Sequence, residues 1–153
     1  MRPPSPPGTR WSSTAARRCS DIYSQFSPLA SGFLSGKVTA EDTYTGDDVR
    51  RVITRFDKDN VRANRPLLDL LTAFAQEKGA TPAQVSLAWM LHKKDFIVPI
   101  PGSRRLERIE ENLGTADVEL TEEEFARIEA GLANITIHGN RTDEDIAKLR
   151  QLD

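Results

Sequence analysis

The stretch from Phe96 to Leu113 reads FIVPIPGSRRLERIEENL. Its first five residues are continuously apolar, a pattern typical of a parallel strand that is covered on both faces. The strand ends in Pro-Gly-Ser, and a helix predicted from about Arg105 to Leu113 follows directly. A buried strand that turns straight into a helix is the local arrangement of the α/β class.

The residues before this stretch predict a first strand, a long loop and two helices. The strand is expected at Ile22–Phe26, and residues 31–60, rich in Gly, Thr and Asp, are expected to form a loop with one short helix near Asp47–Thr54. An apolar stripe from Leu67 to Ala75 predicts the next helix, which Gly79 ends. The second of the two helices begins with the capping box Thr81-Pro82-Ala83-Gln84.

Two further helices are predicted after the stretch. One begins at Thr121, with Glu124 completing a second capping box, and the other covers Asp143–Leu152. The element order is therefore β-α-β-α. The right-handed crossover rule predicts that the two strands lie parallel and adjacent, with the helices packed on one side of them.

Residues 1–21 differ in composition from the rest of the chain. The segment is rich in Pro, Ser and Arg, has no periodic apolar pattern and is expected to be disordered. The rest of the chain, residues 22–153, is acidic, which argues against broad nucleic-acid binding. No apolar run is long enough for a membrane span, and the lone Cys19 has no neighbours at metal-ligand spacing. We therefore expect no metal and no membrane, and a cytoplasmic location.

The start of the helix at 105–113 is the candidate site. Free N–H groups at a helix N-terminus attract anions, and the arginines at 104 and 108 share a helical face with Glu111 and Asn112. Paired guanidinium groups suit a terminal phosphate, and Glu111 and Asn112 suit an adenine edge. The alternative from the residues alone is a set of surface ion pairs between these arginines and neighbouring glutamates.

Three segments together resemble the aldo-keto reductase family. They are the string from Val98 to Asn112, the segment FSPLASGFLSGK at 26–37 and the segment TPAQVSLAW at 81–89, in the family's order and spacing. The resemblance covers about residues 26–141. It implies the C-terminal part of a (β/α)8 TIM barrel, incomplete here, with about two βα units and the C-terminal helices. The partial domain would span residues 22–153.

The resemblance also implies a cofactor and its contacts. In such a protein the cofactor is NADP, and the substrate of the complete enzyme is a carbonyl compound that is reduced to an alcohol. Ser27, Leu29 and Ser31 would line the pyrophosphate. The 2′-phosphate would be held by Ser103, Arg104 and Arg108, and the adenine would face Glu111 and Asn112.

No residue of this sequence matches the family's proton-donating tyrosine, so the chain alone is expected to be inactive. Neither Tyr23 nor Tyr44 has the family's context, and His138 is expected to order the C-terminal loop. Two alternatives remain open: a non-catalytic nucleotide-binding or regulatory subunit, and an enzyme assembled from two chains. An incomplete barrel would expose apolar faces, which also leaves an oligomer open. The carbonyl substrate is not determined by the sequence.

Overall fold

The computed structural model describes residues 23–141. The expectations for residues 1–21 and for the helix at 143–152 lie outside this range. Strand β1, Tyr23–Phe26, pairs in parallel with strand β2, Ile97–Ile100, in the register Tyr23↔Ile97 to Phe26↔Ile100. The prediction of two adjacent parallel strands is confirmed, and their carboxyl ends lie at the same edge of the sheet.

Five α-helices lie within the described residues, and four of the five helices predicted there are confirmed. They are α1 Lys58–Ala63, α2 Arg65–Lys78, α3 Pro82–Lys93, α4 Leu106–Leu113 and α5 Glu122–Ala133. Short 3-10 helices occupy Ala30–Ser35, Val49–Arg51, Thr54–Phe56 and Gly114–Asp117.

The helix predicted at 47–54 is wrong. Two separate 3-10 turns occur there instead, and α1, which no sequence signal indicated, follows them. The Asp48 carboxylate accepts a hydrogen bond from the Arg50 amide at 3.0 Å, which favours a tight local turn. The extended backbone of Ile53 then interrupts any continuous helix.

Both predicted capping boxes form. The Thr81 hydroxyl accepts from the Gln84 amide at 3.2 Å, while the Thr81 amide donates to the Gln84 side chain at 2.9 Å. Thr121 and Glu124 repeat this exchange at the start of α5. Gly79 ends α2 with a left-handed backbone (φ 62°), as predicted.

Two hydrophobic clusters hold the helices and the long loop. The first lies between α2, α3 and α5 and includes Phe74, Val85 and Ile128. The second lies under the loop, where the rings of Phe33 and Phe56 meet edge to face at 5.7 Å. Because the loop has its own core, its position next to the ends of the strands is fixed by packing.

The expectation that β2 is covered on both faces is not met by residues 23–141. Burial alternates along the strand: Ile97 and Pro99 are half-buried, whereas Val98 and Ile100 remain 42% and 49% exposed. Helix α3 packs against this strand, and the described residues leave its other face open. The apolar side of α4 is exposed in the same way, with Leu106, Ile109 and Leu113 at 66%, 41% and 71%. Among the described helices, none is long and apolar enough to cross a membrane.

Candidate functional site

A cleft of about 340 Å³ lies where the loop after β1 meets the loop after β2 and the start of α4. Because the strands are parallel, their following loops meet at one edge of the sheet. Seven of the eight residues singled out in the sequence line this cleft: Ser27, Leu29, Ser31, Ser103, Arg108, Glu111 and Asn112. Segments about 75 residues apart in the sequence therefore form one site.

The loop after β1 approaches the cleft in a strained conformation. Ser27, Ala30 and Ser31 have positive φ angles of 49°, 50° and 56°, which side chains other than glycine adopt rarely. Backbone hydrogen bonds hold the turn: the Ala30 amide donates to the Ser27 carbonyl at 3.0 Å, and the Gly32 amide to that of Leu29 at 2.9 Å. Strain of this kind, roughly 1–3 kcal/mol per residue, persists where surrounding structure imposes it and is common at binding sites.

The turn after β2 leaves the start of α4 accessible. The helix begins at Leu106, and the side chain of its N-cap residue Arg105 makes no capping hydrogen bond. The Ser103 hydroxyl instead accepts from the Arg105 amide at 3.2 Å, which fixes the turn. A Cβ added to Gly102 would meet no atom within 4 Å, so the space beside this backbone is free. These features suit an anion bound against the helix N-terminus.

On α4, Arg108 and Glu111 form an ion pair at the wall of the cleft. The Arg108 Nη1 donates to the Glu111 Oε2 at 2.6 Å, whereas the Glu111 Oε1 is buried and has no hydrogen-bond partner in the part of the chain that the structure describes. Burial by itself raises the pKa of the Glu111 carboxyl. The hydrogen bond from Arg108, the nearby Thr81 hydroxyl and the charges of Arg108 and Lys37 outweigh it, so the pKa lies below its ordinary value.

The Gln84 side chain holds this wall of the cleft in place by a hydrogen bond to the backbone of α4. Its Nε2 donates to the backbone carbonyl of Glu111 at 2.9 Å, while its Oε1 closes the capping box of α3. One side chain therefore joins the start of α3 to the end of α4. A Cβ at Gly114 would lie 2.6 Å from the Gln84 Nε2, so a larger residue there would displace this side chain.

The long loop adds charged residues that sequence reasoning missed: Lys37, Asp42 and Arg50 all line the cleft. Arg50 is held by Asp48, whose carboxylate accepts from its Nε at 2.9 Å, and its guanidinium lies 4.3 Å from the Tyr44 ring centroid. The hydrogen bond from Arg50 lowers the pKa of Asp48. Lys37 follows directly on the sequence motif, but no spacing rule connects Arg50 with the cleft.

Arg104 is the one candidate that does not line the main cleft. It precedes α4, so the prediction that it shares a helical face with Arg108 is wrong. It lies instead in an adjoining depression that shares Ser31, Arg50 and Ser103 with the cleft. The bend at residues 104 and 105, which precedes the helix, separates Arg104 from the helical spacing.

Tyr44 and His138 take structural positions. The Tyr44 ring packs edge to face on Phe56 at 5.3 Å, and its hydroxyl lies 3.4 Å from an Asp42 carboxylate oxygen. Burial and the nearby Asp42 charge raise its pKa. The backbone of His138 is bound by the side chain of Asn64, which agrees with the predicted ordering of this loop. The described residues contain no His/Cys/Asp/Glu group arranged to hold a metal.

The fold and the cleft agree with the comparison with known proteins. The family model described as "Aldo/keto reductase family" matches residues 21–133. The aldo-keto reductase str7 of Strobilurus tenacellus and the aldo-keto reductase yakc of Schizosaccharomyces pombe, whose name specifies NADP(+), are each 35% identical to this chain over 116 residues. The chain belongs to the aldo/keto reductase family.

The matched region covers 76% of this chain but 34% of each of these two relatives. The chain therefore spans about a third of the length of the curated relatives that it matches. The family implies a (β/α)8 barrel, and the described residues contain one pair of parallel strands with the helices that follow them.

Proposed function

We propose that this cleft binds the pyrophosphate, the 2′-phosphate and the adenine of NADP(H), and that the chain serves an NADP-dependent oxidoreductase that reduces aldehydes or ketones to alcohols. The observation that carries the proposal is the convergence of both strand-end loops on one cleft. Seven residues from two motifs about 75 residues apart meet there, although nothing in either local pattern requires the two motifs to be close. The relative whose name specifies NADP(+) supports the choice of cofactor.

The charges of the cleft fit a phosphorylated ligand. Lys37, Arg50 and Arg108 approach from three different segments, and the uncapped start of α4 adds free N–H groups. In the proposed complex, Ser27, Leu29 and Ser31 line the pyrophosphate. Arg108 and Ser103 hold the 2′-phosphate from the α4 side, and Arg104 reaches it from the adjoining depression. A planar guanidinium suits the terminal phosphate because it can donate two parallel hydrogen bonds.

The part of the cleft next to Glu111 and Asn112 suits the adenine base. The unpartnered Oε1 of Glu111 is a buried acceptor, and such atoms normally have a hydrogen-bond partner. The exocyclic amino group of adenine would supply the missing donor, and the Asn112 amide can both donate and accept at the same edge. Ionised Glu111, with its lowered pKa, remains an acceptor at neutral pH.

The catalytic step itself requires more of the barrel than residues 23–141 contain. Bound NADPH supplies a hydride to the carbonyl carbon, and an acid must protonate the carbonyl oxygen. Tyr44, the one tyrosine whose side chain is described, has a raised pKa and packs in the loop core. We therefore propose that the chain contributes the cofactor-phosphate end of the barrel, and that a further segment or chain contributes the proton donor.

The test is calorimetry of the full chain with 2′,5′-ADP and with 5′-ADP. Arg108→Ala should weaken 2′,5′-ADP binding by about 10–100-fold, because charge-assisted bonds to phosphate contribute roughly 1.5–3 kcal/mol each. It should change 5′-ADP binding by less than about threefold, since that ligand lacks the 2′-phosphate. Arg62→Ala is the matched control, because Arg62 forms an exposed pair with Asp59 at the same three-residue separation, away from the cleft.

Comparing 2′,5′-ADP with 5′-ADP distinguishes the possible roles of Arg108. Equal losses for both ligands would mean that Arg108 supports the structure of α4 and does not read the 2′-phosphate. No binding of either ligand by the folded wild-type chain, with folding checked by circular dichroism, would overturn the cofactor proposal. Arg108→Lys distinguishes charge from geometry, since it retains the charge but loses the planar fork.

A further inference from the structure

A second cavity, of about 250 Å³, lies behind the strained loop between α2, α3 and α5. Ten of its twelve lining residues are apolar, among them Phe33, Leu71, Trp89 and Ile128. Ile137, which also lines it, is 46% exposed, so the cavity reaches the surface there. It is separate from the nucleotide cleft: Ala30 faces the cavity, whereas the next residue, Ser31, faces the cleft.

The two polar residues of this cavity both have buried atoms with no hydrogen-bond partner among residues 23–141. Ser86 is 3% exposed, and its Oγ forms no hydrogen bond. The Nε of Arg55 is buried and forms none either. Most buried polar atoms in folded proteins have a partner, so two orphaned donors in one apolar cavity indicate a missing acceptor.

The positive charge of Arg55 indicates what kind of group the missing acceptor is. Among the described residues Arg55 forms no ion pair, and its Nη2 reaches only the Gly139 carbonyl, at 3.5 Å. Burial, and the nearby positive charge of Arg141, lower its pKa. An uncompensated, partly buried guanidinium is costly, and an anion is the group that best offsets it.

We propose that this cavity binds a small apolar monocarboxylate, such as an arylalkanoate, with its carboxylate at Arg55 and Ser86 and its apolar part against Phe33 and Trp89. The volume of the cavity agrees with a ligand of this size, because an apolar cavity of about 150 Å³ already accommodates benzene. The remaining volume accommodates a short chain and a carboxylate. This site does not depend on the nucleotide proposal, since it shares no lining residue with the cleft.

The test uses Trp89 as the reporter. In a Trp11→Phe background, Trp89 is the chain's single tryptophan, and its fluorescence is titrated with 3-phenylpropionate and with the neutral 3-phenylpropanol. We expect a saturable change with 3-phenylpropionate and a Kd on the order of 1 mM, given the ligand's size. The neutral alcohol should bind at least about tenfold more weakly, because it cannot offset the Arg55 charge.

Three variants locate the binding. Arg55→Gln should weaken 3-phenylpropionate at least about tenfold and leave the neutral alcohol unchanged, and Ser86→Ala should weaken it by about threefold. Arg127→Gln is the control, because Arg127 is an exposed arginine paired with Glu77 outside the cavity. Ser86→Leu, which fills the cavity, should abolish the signal for both ligands; thermal melts confirm that each variant is folded.

Several outcomes would overturn the proposal. They are no saturable change at about ten times the expected Kd, equal binding of acid and alcohol, or an undiminished affinity in Arg55→Gln. Displacement of the probe by 2′,5′-ADP in direct competition would place it in the nucleotide cleft and would equally refute the cavity site. If Arg55→Gln unfolds the chain, Arg55→Met, which keeps a long side chain without the charge, replaces it with the same two ligands, and the same loss of preference for the acid is expected.

Discussion

Arg108 and Glu111 lie one turn apart on α4 and are joined by a hydrogen bond of 2.6 Å between Nη1 and Oε2. Both side chains are largely covered, with 31% and 13% of their surface exposed. The pair therefore differs from the other i,i+3 ion pair within residues 23–141, Arg62–Asp59, in which the aspartate is 97% exposed. Its contribution to stability should be correspondingly larger.

The first prediction concerns the pH dependence of this pair. The pKa of Glu111 is lowered in the folded chain, so its ionised form stabilises the fold above the unfolded pKa of about 4.5, and that contribution is lost as the pH falls through the folded pKa. Glu111→Gln should reduce the free energy of unfolding by about 1 kcal/mol at pH 7 and by progressively less below pH 4.5. Urea denaturation across this range measures the difference.

Asp59→Asn is the control for that experiment. Its exposed pair with Arg62 should contribute less than about 0.5 kcal/mol at any pH in the range. A loss for Glu111→Gln that stays constant down to pH 3 would show that the effect comes from packing and not from the charge.

The second prediction concerns Gln84, which bonds to both α3 and α4. Gln84→Glu keeps the acceptor for the Thr81 amide but replaces the donor to the Glu111 carbonyl by an oxygen. We expect a loss of about 1–3 kcal/mol in the free energy of unfolding, because a part-buried carbonyl loses its partner. Chemical denaturation measures this loss. Thr81→Ala, which removes only the cap, should cost about 1 kcal/mol; an equal or smaller loss for Gln84→Glu would contradict the bridging role.

The third prediction concerns the attachment of the loop after α5. The fully buried side chain of Asn64 donates to the His138 carbonyl and accepts from the His138 amide, both at 2.8 Å. Asn64→Ala should lower the free energy of unfolding by roughly 2–3 kcal/mol, because two hydrogen bonds are lost and two backbone groups lose their partners. The exposed Asn134, with one bond to the Ala130 carbonyl, provides the control: Asn134→Ala should cost less than about 1 kcal/mol.

The fourth prediction concerns Tyr44. A catalytic tyrosine must release its proton readily, whereas burial and Asp42 raise the pKa of Tyr44. If the chain, alone or with a complementing segment, oxidises NADPH with an aldehyde, Tyr44→Phe should leave the rate at 340 nm unchanged within about twofold. Turnover that disappears in Tyr44→Phe would assign the proton donor to this loop.

Several parts of the fold were predictable because their signals are local. A threonine with a glutamine or glutamate three residues later marks a helix start, and both capping boxes form as Thr81 and Thr121 indicated. The helix from Lys58 to Ala63 escaped prediction because it is short, polar and begins without a side-chain cap. Its one buried residue, Val61, carries no periodic pattern by itself.

The cleft residues that belong to the sequence motifs could be predicted, whereas those on the long loop could not. Ser103, Arg108 and Glu111 follow from the strand-turn-helix string, whereas Arg50 reaches the cleft because Asp48 and the Tyr44 ring fix its guanidinium. Such contacts depend on the path of an irregular loop, which residue spacing does not determine. The prediction that Arg104 shares a helical face with Arg108 was wrong for a related reason, since helical spacing applies only from Leu106 onward.

The family, the two strands, the helix ends and the chemistry expected after β2 could be predicted from the order of amino acids, because each depends on residues that are neighbours along the chain. The tertiary structure alone decided which of those residues share a cleft, that Glu111 carries an unpartnered buried oxygen, and that Arg55 and Ser86 face one apolar cavity. The physical reason is that burial and the loss of hydrogen-bond partners arise only when distant segments pack together, and the energetic cost of an unpartnered group depends on that packing.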